Sequence, residues 1–279
     1  MKEYISIFLA VCLTLFLFGC EEKDGETERV SEAADFLIVT MEGGIEEQTA
    51  KMVGANLEAM GYSWKQENQM PKTIPEKTEG VVFVGVDSEE ADVPLVRCSF
   101  QMNDSGENTV APSLSSGSMA RAATLLLPKA QHFTVLFGDA GAADVQDACD
   151  FFDLCGVDYR AEALESGGLY AALEKSVSDV ILLPSRELSG RGIELFSEGC
   201  AIFAVGEGEA VRGAIATFSI DTEKLARDTA ILAVSQATGE KAILHSESYY
   251  ILCLDRTLCE KYNADITAVS EDFRVVIVD

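Results

Sequence analysis

Residues 201–241, AIFAVGEGEAVRGAIATFSIDTEKLARDTAILAVSQATGEK, decide the fold. They open with an apolar run, Ala201-Ile202-Phe203-Ala204-Val205, which breaks at Gly206-Glu207-Gly208 and resumes as a second extended run over 215–220. At Asp221 the period changes from two to 3.6. Leu225, Thr229, Leu232 and Ala233 fall on one stripe, Asp221 is placed to accept the free N–H groups of the first turn, and Gly239 can close the helix. The stretch reads as a strand, a turn, a second extended crossing and a long helix.

Upstream of it, strand and helix signals alternate. The spacing predicts a helix over 119–127, a strand over 133–137, a helix over 142–154 and a strand over 157–164. A helix over 169–175, a strand over 180–183 and a short helical piece near 191–196 follow. Val145, Ala148 and Phe152 share a stripe that meets Gly156. Repeating units of this length predict a doubly wound α/β domain.

The N-terminal third gives a shorter version of the same pattern. Phe36-Leu37-Ile38-Val39-Thr40 is a continuous apolar run, as expected for a strand covered on both sides, and a helical pattern over 45–60 ends at Gly61. Candidate strands follow at 62–64, 81–86 and 95–100. Only residues 87–93 separate the last two, too few for a crossover helix, so this lobe is trimmed. The turn-rich segment 103–118, NDSGENTVAPSLSSGS, is expected to cross between lobes. At the C-terminal end a strand over 249–254, a short helix opened by Asp255 and a closing strand over 273–278 complete the chain.

A length of 279 residues with 48% hydrophobic composition suffices for two cores, and the net charge of −26 would repel nucleic-acid phosphates and anionic lipid. Residues 5–18 are almost wholly apolar and uncharged, yet shorter than the roughly 18 residues of a bilayer-spanning helix, which points to export. The run ends in Leu17-Phe18-Gly19-Cys20, which resembles a bacterial lipoprotein box in which Cys20 becomes the lipidated first residue. Residues 1–19 are then a signal peptide. Residues 20–32, charged and nearly free of apolar side chains, form a tether whose dozen residues span roughly 40 Å when stretched. The expected location is extracytoplasmic, on the outer face of the bacterial cell membrane.

Of eight cysteines, Cys12 leaves with the signal and Cys20 is lipidated. Cys98, Cys149, Cys155, Cys200, Cys253 and Cys259 mostly sit in apolar runs, where a thiol behaves as a small hydrophobe, so free buried thiols are expected over disulfides. Neither the pair 149/155 nor 253/259 has zinc-site spacing. Enzymatic motifs are missing: there is no nucleophile elbow, phosphate-binding loop or zinc-protease signature, and His132 and His245 lie far apart in sequence. No metal, cofactor or catalysis is expected. Gly206-Glu207-Gly208 lacks the third glycine of a dinucleotide fingerprint and reads as a turn. Tyr62 and Trp64 beside a helix end read as core packing.

Taken in order, the residues over 112–266 resemble the substrate-binding proteins of ABC transporters, the family whose better-known members bind tryptophan, tyrosine or similar small ligands. Gly213-Ala214-Ile215-Ala216-Thr217-Phe218-Ser219-Ile220-Asp221, then Leu225-Ala226-Arg227, Thr229-Ala230 and Gly239-Glu240-Lys241-Ala242, are similar to that family's GALATYGVDY…LGRQTA…GEKP signature. Ala111-Pro112-Ser113-Leu114 with Leu125-Leu126-Leu127-Pro128, and residues 254–264, resemble further elements of it. The first-strand loop departs from the family pattern, reading Glu42-Gly43-Gly44, as do Gly138-Asp139-Ala140-Gly141 and Pro184-Ser185-Arg186.

The resemblance implies a periplasmic-binding-protein-like α/β fold: two doubly wound parallel-sheet lobes joined by a multi-strand hinge, the first trimmed. Lobe 1 would comprise 33–113 and 220–245, and lobe 2 would comprise 114–219 and 246–279. Both sheets would point the C-terminal ends of their strands at a shared cleft. The implied ligand contacts are Thr40, Glu42 and Gly43, Asp87 and Ser88, Ser115 and Ser116, Asp139 and Ala140, Ser185 and Arg186, Glu207, and Asp221. Arg186 would take a ligand carboxylate while Glu42, Asp87 or Glu207 takes an amine, suiting an amino-acid-like ligand. The implied partners are that small molecule and a membrane permease; the alternative is an exported lipoprotein of the same fold acting as a sensor or interaction module.

Overall fold

A computed structural model describes residues 34–101, 104, 106–138, 145–164, 168, 172, 178–185, 188, 193, 199–206, 210–242, 244 and 249–279. Lipidation at Cys20, the signal and tether over 1–32, and the helical pieces expected at 169–175 and near 191–196 fall wholly or largely outside these residues.

The apolar run at 36–40 forms β1 (Phe36–Thr40), with every residue buried. It leads through Gly43 and Gly44, both at positive φ, into α1 (Gly44–Ala59). β2 (Trp64–Glu67), β3 (Gly80–Val84), β4 (Leu95–Cys98) and β5 (Thr109–Val110) complete a five-stranded sheet, order β2-β1-β3-β4-β5, parallel throughout. Two sequence expectations need correction. The second strand begins at Trp64 and is polar because it is the sheet edge. Segment 103–118 is not one loop: it contains β5, fixed by pairing of Arg97 with Thr109, and its end already belongs to α2 (Ser116–Leu126).

The second sheet contains β6 (His132–Gly138), β7 (Asp158–Leu164), β8 (Val180–Leu183), β9 (Ala201–Val205), β10 (Ala216–Ile220), β11 (Tyr250–Asp255) and β12 (Val275–Val278), in the order β12-β11-β10-β9-β8-β6-β7. Its pairs are parallel except β10–β11, where the chain reverses. α3 (Gln146–Cys155) packs on α2 and β7 and ends at Gly156 in the left-handed conformation. α5 (Arg256–Tyr262) starts at the Asp255 cap, and α6 (Ile266–Ser270), which the sequence pattern did not single out, packs on α2.

The stretch at 201–241 folds as its pattern dictates. β9 and β10 are fully buried neighbours, and α4 (Thr222–Thr238) starts at the Asp221 cap and ends at left-handed Gly239. Although it follows a strand of the second sheet, α4 lies on α1, β3, β4 and β5 of the first. Leu225, Thr229, Leu232 and Ala233 are all buried. The opposite face of the first sheet has no helix over it among the described residues. Leu37, Val39, Val81 and Phe83 are capped there by Met70, Ile74, Val86 and Val93 from irregular segments, and each buried side chain of this size contributes roughly 1.5–3 kcal/mol. That is the physical form of the trimming.

All six cysteines of the described region are free, and most are buried, as expected: Cys98, Cys200, Cys253 and Cys259 are buried, Cys149 is half-buried and Cys155 exposed. Tyr62 meets Phe36 edge-on at 5.3 Å, and Trp64 packs on Gly54, so both aromatics belong to the core.

Candidate functional site

The exits of β1 and β3 are built around close approaches. Thr40 is buried and its hydroxyl donates to the Met41 carbonyl at 3.4 Å. Glu42 is exposed and accepts from Asn68. The Gly43 N–H donates to Glu47 Oε2 at 2.6 Å, so Glu47 satisfies the start of α1 from inside the helix while Lys51 and this N–H hold its carboxyl below the usual range. Gly85 follows β3 at φ 69°, and a Cβ there would lie 2.4 Å from Glu46 Cγ. Only glycine lets the first turn of α1 close over this strand end.

Two hollows flank that turn. One, of about 80 Å³, is lined by Glu46, Gly85, Asp87, Ser99 and Phe100, with Arg97 and Asp104 at its side. Arg97 pairs with Asp104 through Nη2, while its Nε is buried without a hydrogen-bond partner. The Ser99 hydroxyl, the Gly106 N–H and Arg97 hold the Asp104 carboxyl below the usual range. The other hollow, of about 430 Å³, lies between the two sheets: Gly44, Ile45 and Gln48 face Ile220, Asp221, Ile251 and Arg274. The start of α1 and the carboxyl end of β10 therefore face one space, large enough for a small molecule.

Asp221 is central to this second wall. It is 6% exposed, its N–H donates to the Tyr249 carbonyl at 2.7 Å, and its Oδ1 accepts from the Lys224 N–H at 3.1 Å. Its other oxygen accepts from Arg274 Nη1 at 2.6 Å, and Arg274 Nη2 reaches Glu223 at 3.3 Å. Among the remaining expected contacts, Asp87 lines the smaller hollow, while Gly43 and Ser88 adjoin lining residues. Thr40, Glu42, Ser115 and Ser185 line neither. Ser115 caps α2 by accepting from the Ser118 N–H at 3.1 Å. Ser116 is buried, and its hydroxyl accepts from the Ala148 N–H at 3.1 Å, tying α2 to α3. Asp139, Ala140, Arg186 and Glu207 lie outside the described residues.

Sequence reasoning missed Glu46, Gln48, Arg97, Phe100 and Arg274. Arg97 carried a signal, a lone charge inside the apolar strand Leu95-Val96-Arg97-Cys98. Arg274 carried none, because its partners lie about fifty residues upstream. No group of histidine, cysteine or carboxylate side chains that could hold a metal ion occurs among the described residues.

No protein-family model and no curated protein matches the chain. Solved structures do. The ligand-free, open form of a substrate-binding protein with adhesive properties from Clostridium difficile is 15% identical, with 88% of this chain and 99% of that one covered at a TM-score of 0.63. An ABC domain from Streptococcus pneumonia in complex with L-Trp is 14% identical, covering 86% and 98%, with a TM-score of 0.56. An ABC-transporter solute-binding protein from Agrobacterium vitis bound to α-D-tagatopyranose is 11% identical, covering 85% and 98%, with a TM-score of 0.53. At such identities the likeness is one of fold: α/β, with two parallel-sheet lobes of the periplasmic-binding-protein kind.

Proposed function

We propose that this chain is a lipid-anchored, extracytoplasmic solute-binding protein that closes on a small, amino-acid-like molecule and presents it to an ABC permease. The observation carrying this reading is the 430 Å³ space between the start of α1, which packs on the first sheet, and the carboxyl end of β10 in the second. Open α/β sheets bind ligands at such edges, and lobes joined by short crossings close by hinge motion. The structural neighbours with L-Trp and tagatose bound support the class of function. Ligand contacts are assigned to Asp87, Glu46 and Gln48 and, from the sequence alone, to Asp139, Arg186 and Glu207. The anchor is assigned to Cys20.

A thermal-shift screen with amino acids, sugars and nucleobases tests the reading. A ligand at about 100 times its Kd stabilises by roughly 2.7 kcal/mol, a rise in Tm that any of these reagents in excess can reveal. Gln48→Trp, which fills the space between the sheets, is expected to abolish the rise while leaving the unliganded melting curve intact. No shift with any compound favours the second reading, a sensor or interaction lipoprotein of the same fold. The feature that favours this second reading is internal pairing: Arg97 with Asp104 and Arg274 with Asp221 both spend their charge within the protein. Loss of detergent-phase partitioning on Cys20→Ala checks the anchor separately.

A further inference from the structure

The C-terminal segment is held from both sides. Toward the second sheet, Arg121 of α2 donates to Asp272 through Nε at 3.1 Å and Nη2 at 2.8 Å, Phe273 meets Phe218 of β10 edge-on at 6.0 Å, and the Leu252 N–H of β11 donates to the Arg274 carbonyl at 2.9 Å. Toward the first sheet, the Arg274 guanidinium forks to Asp221 and Glu223 at the start of α4, the helix that packs on α1, β3, β4 and β5. One backbone position thus belongs to one sheet while its side chain grips the helix covering the other. The two grips differ. Asp221 is nearly buried at the crossing itself, whereas the Glu223 side chain is 74% exposed and lies two residues further on, in the first turn of the helix.

We propose that Arg274 is an ionic strap across the hinge, setting the angle between the lobes: the Asp221 bond is the fixed pivot, and the exposed Glu223 bond is the part that yields. This rests on the two sheets moving as lobes, and not on which ligand they hold. The planar guanidinium suits the task because its fork can hold two carboxylates at once, which an ammonium does less well. The outer bond is open to water, so salt screens it. Because Arg274 also lines the space between the sheets, loosening the strap changes the width of that space directly.

The test needs no ligand. Small-angle scattering and amide hydrogen exchange are recorded for the wild type, Arg274→Gln, Glu223→Gln and Arg274→Lys at low and high salt. The wild type at high salt is expected to match Glu223→Gln at low salt in its scattering profile. Exchange in the first turn of α4 is expected to quicken about two- to fivefold in both, the factor an exposed pair carries. Arg274→Gln is expected to go further, and Arg274→Lys, which keeps the pivot, to fall between. Superimposable scattering and exchange for wild type and Glu223→Gln, with no response of either to salt, overturn the proposal. The far-ultraviolet spectrum of each variant verifies folding, and Glu223→Gln, exposed and outside the core, keeps the test decisive if Arg274→Gln does not fold. A protein that binds nothing in the ligand screen can still show the strap, so the two readings fail separately.

Discussion

Trp64 lies across Gly54 so closely that a Cβ on the glycine would sit 2.3 Å from the indole. The contact joins the middle of α1 to the edge strand β2, and Gly54 is buried. Alanine in a helix interior is ordinarily favoured over glycine by about 0.5–1 kcal/mol, whereas overpacking costs about 1–3. Gly54→Ala is expected to lower stability by about 1–2 kcal/mol in urea unfolding, overpacking outweighing propensity. The double variant Gly54→Ala with Trp64→Leu should recover part of that loss; a stabilised single variant would show that the indole swings aside freely.

The Tyr249 hydroxyl donates to Asp228 Oδ2 at 3.0 Å inside the protein, where the residues are 5% and 2% exposed. Tyr249→Phe removes the donor and leaves a buried carboxylate short of a partner, at an expected cost of about 1–3 kcal/mol. Burial and the Asp228 charge raise the phenol above its ordinary 10.0. A raised folded value gives stability that is complete below the unfolded value and lost as pH climbs toward the folded one. Wild-type stability should therefore fall above pH 10, and the fall should be shallower in Tyr249→Phe.

Thiol chemistry should separate the cysteines. Burial pushes the Cys98 thiol up to about 12 and those of Cys200 and Cys259 to about 11, while Cys155 is exposed at the end of α3. A disulfide reagent at pH 8 is expected to modify Cys155 fastest and to reach Cys98 only after denaturation. Peptide mapping reads the order, and early labelling of Cys98 would contradict it.

At the entrance to β1, Asp35 Oδ2 accepts from both the Ser63 hydroxyl and the Ser63 N–H at 2.7 Å, and these bonds hold its carboxyl below 3.8. A depressed folded value gives stability that is present above the unfolded value and lost as pH falls through the folded one. In Ser63→Ala the Asp35 titration followed by NMR should move up toward its ordinary position. Acid unfolding should then begin at slightly higher pH.

How much was readable in advance follows from what each element depends on. β8 and β9 were legible to the residue because continuous burial on both faces leaves a four- or five-residue apolar run with sharp ends. α4 was legible because its start and stop are local: Asp221 accepts from a backbone group three residues on, and Gly239 takes the left-handed turn itself. β5 was not, since two residues in a turn-rich segment become a strand only by pairing with β4. Of the site, Asp87 and Asp221 were reachable as strand-end residues. Arg274 was not, because its role arises from packing between distant segments, and Arg97 was marked only by its lone charge in an apolar strand. The carboxylate of Asp221 is divided between capping α4 and holding Arg274.

The long helix α4 has one more effect, on the order of events during synthesis. The first sheet is complete by residue 110, yet the face holding Val82, Val84, Val96 and Cys98 waits for Leu225, Ala226 and Thr229, more than a hundred residues later. Until that helix emerges, α1 covers only part of this face, over β1 and β3, and the rest stays open, the kind of surface that holding chaperones bind. The chain thus completes this face of its first lobe only once residues 222–238 have been made.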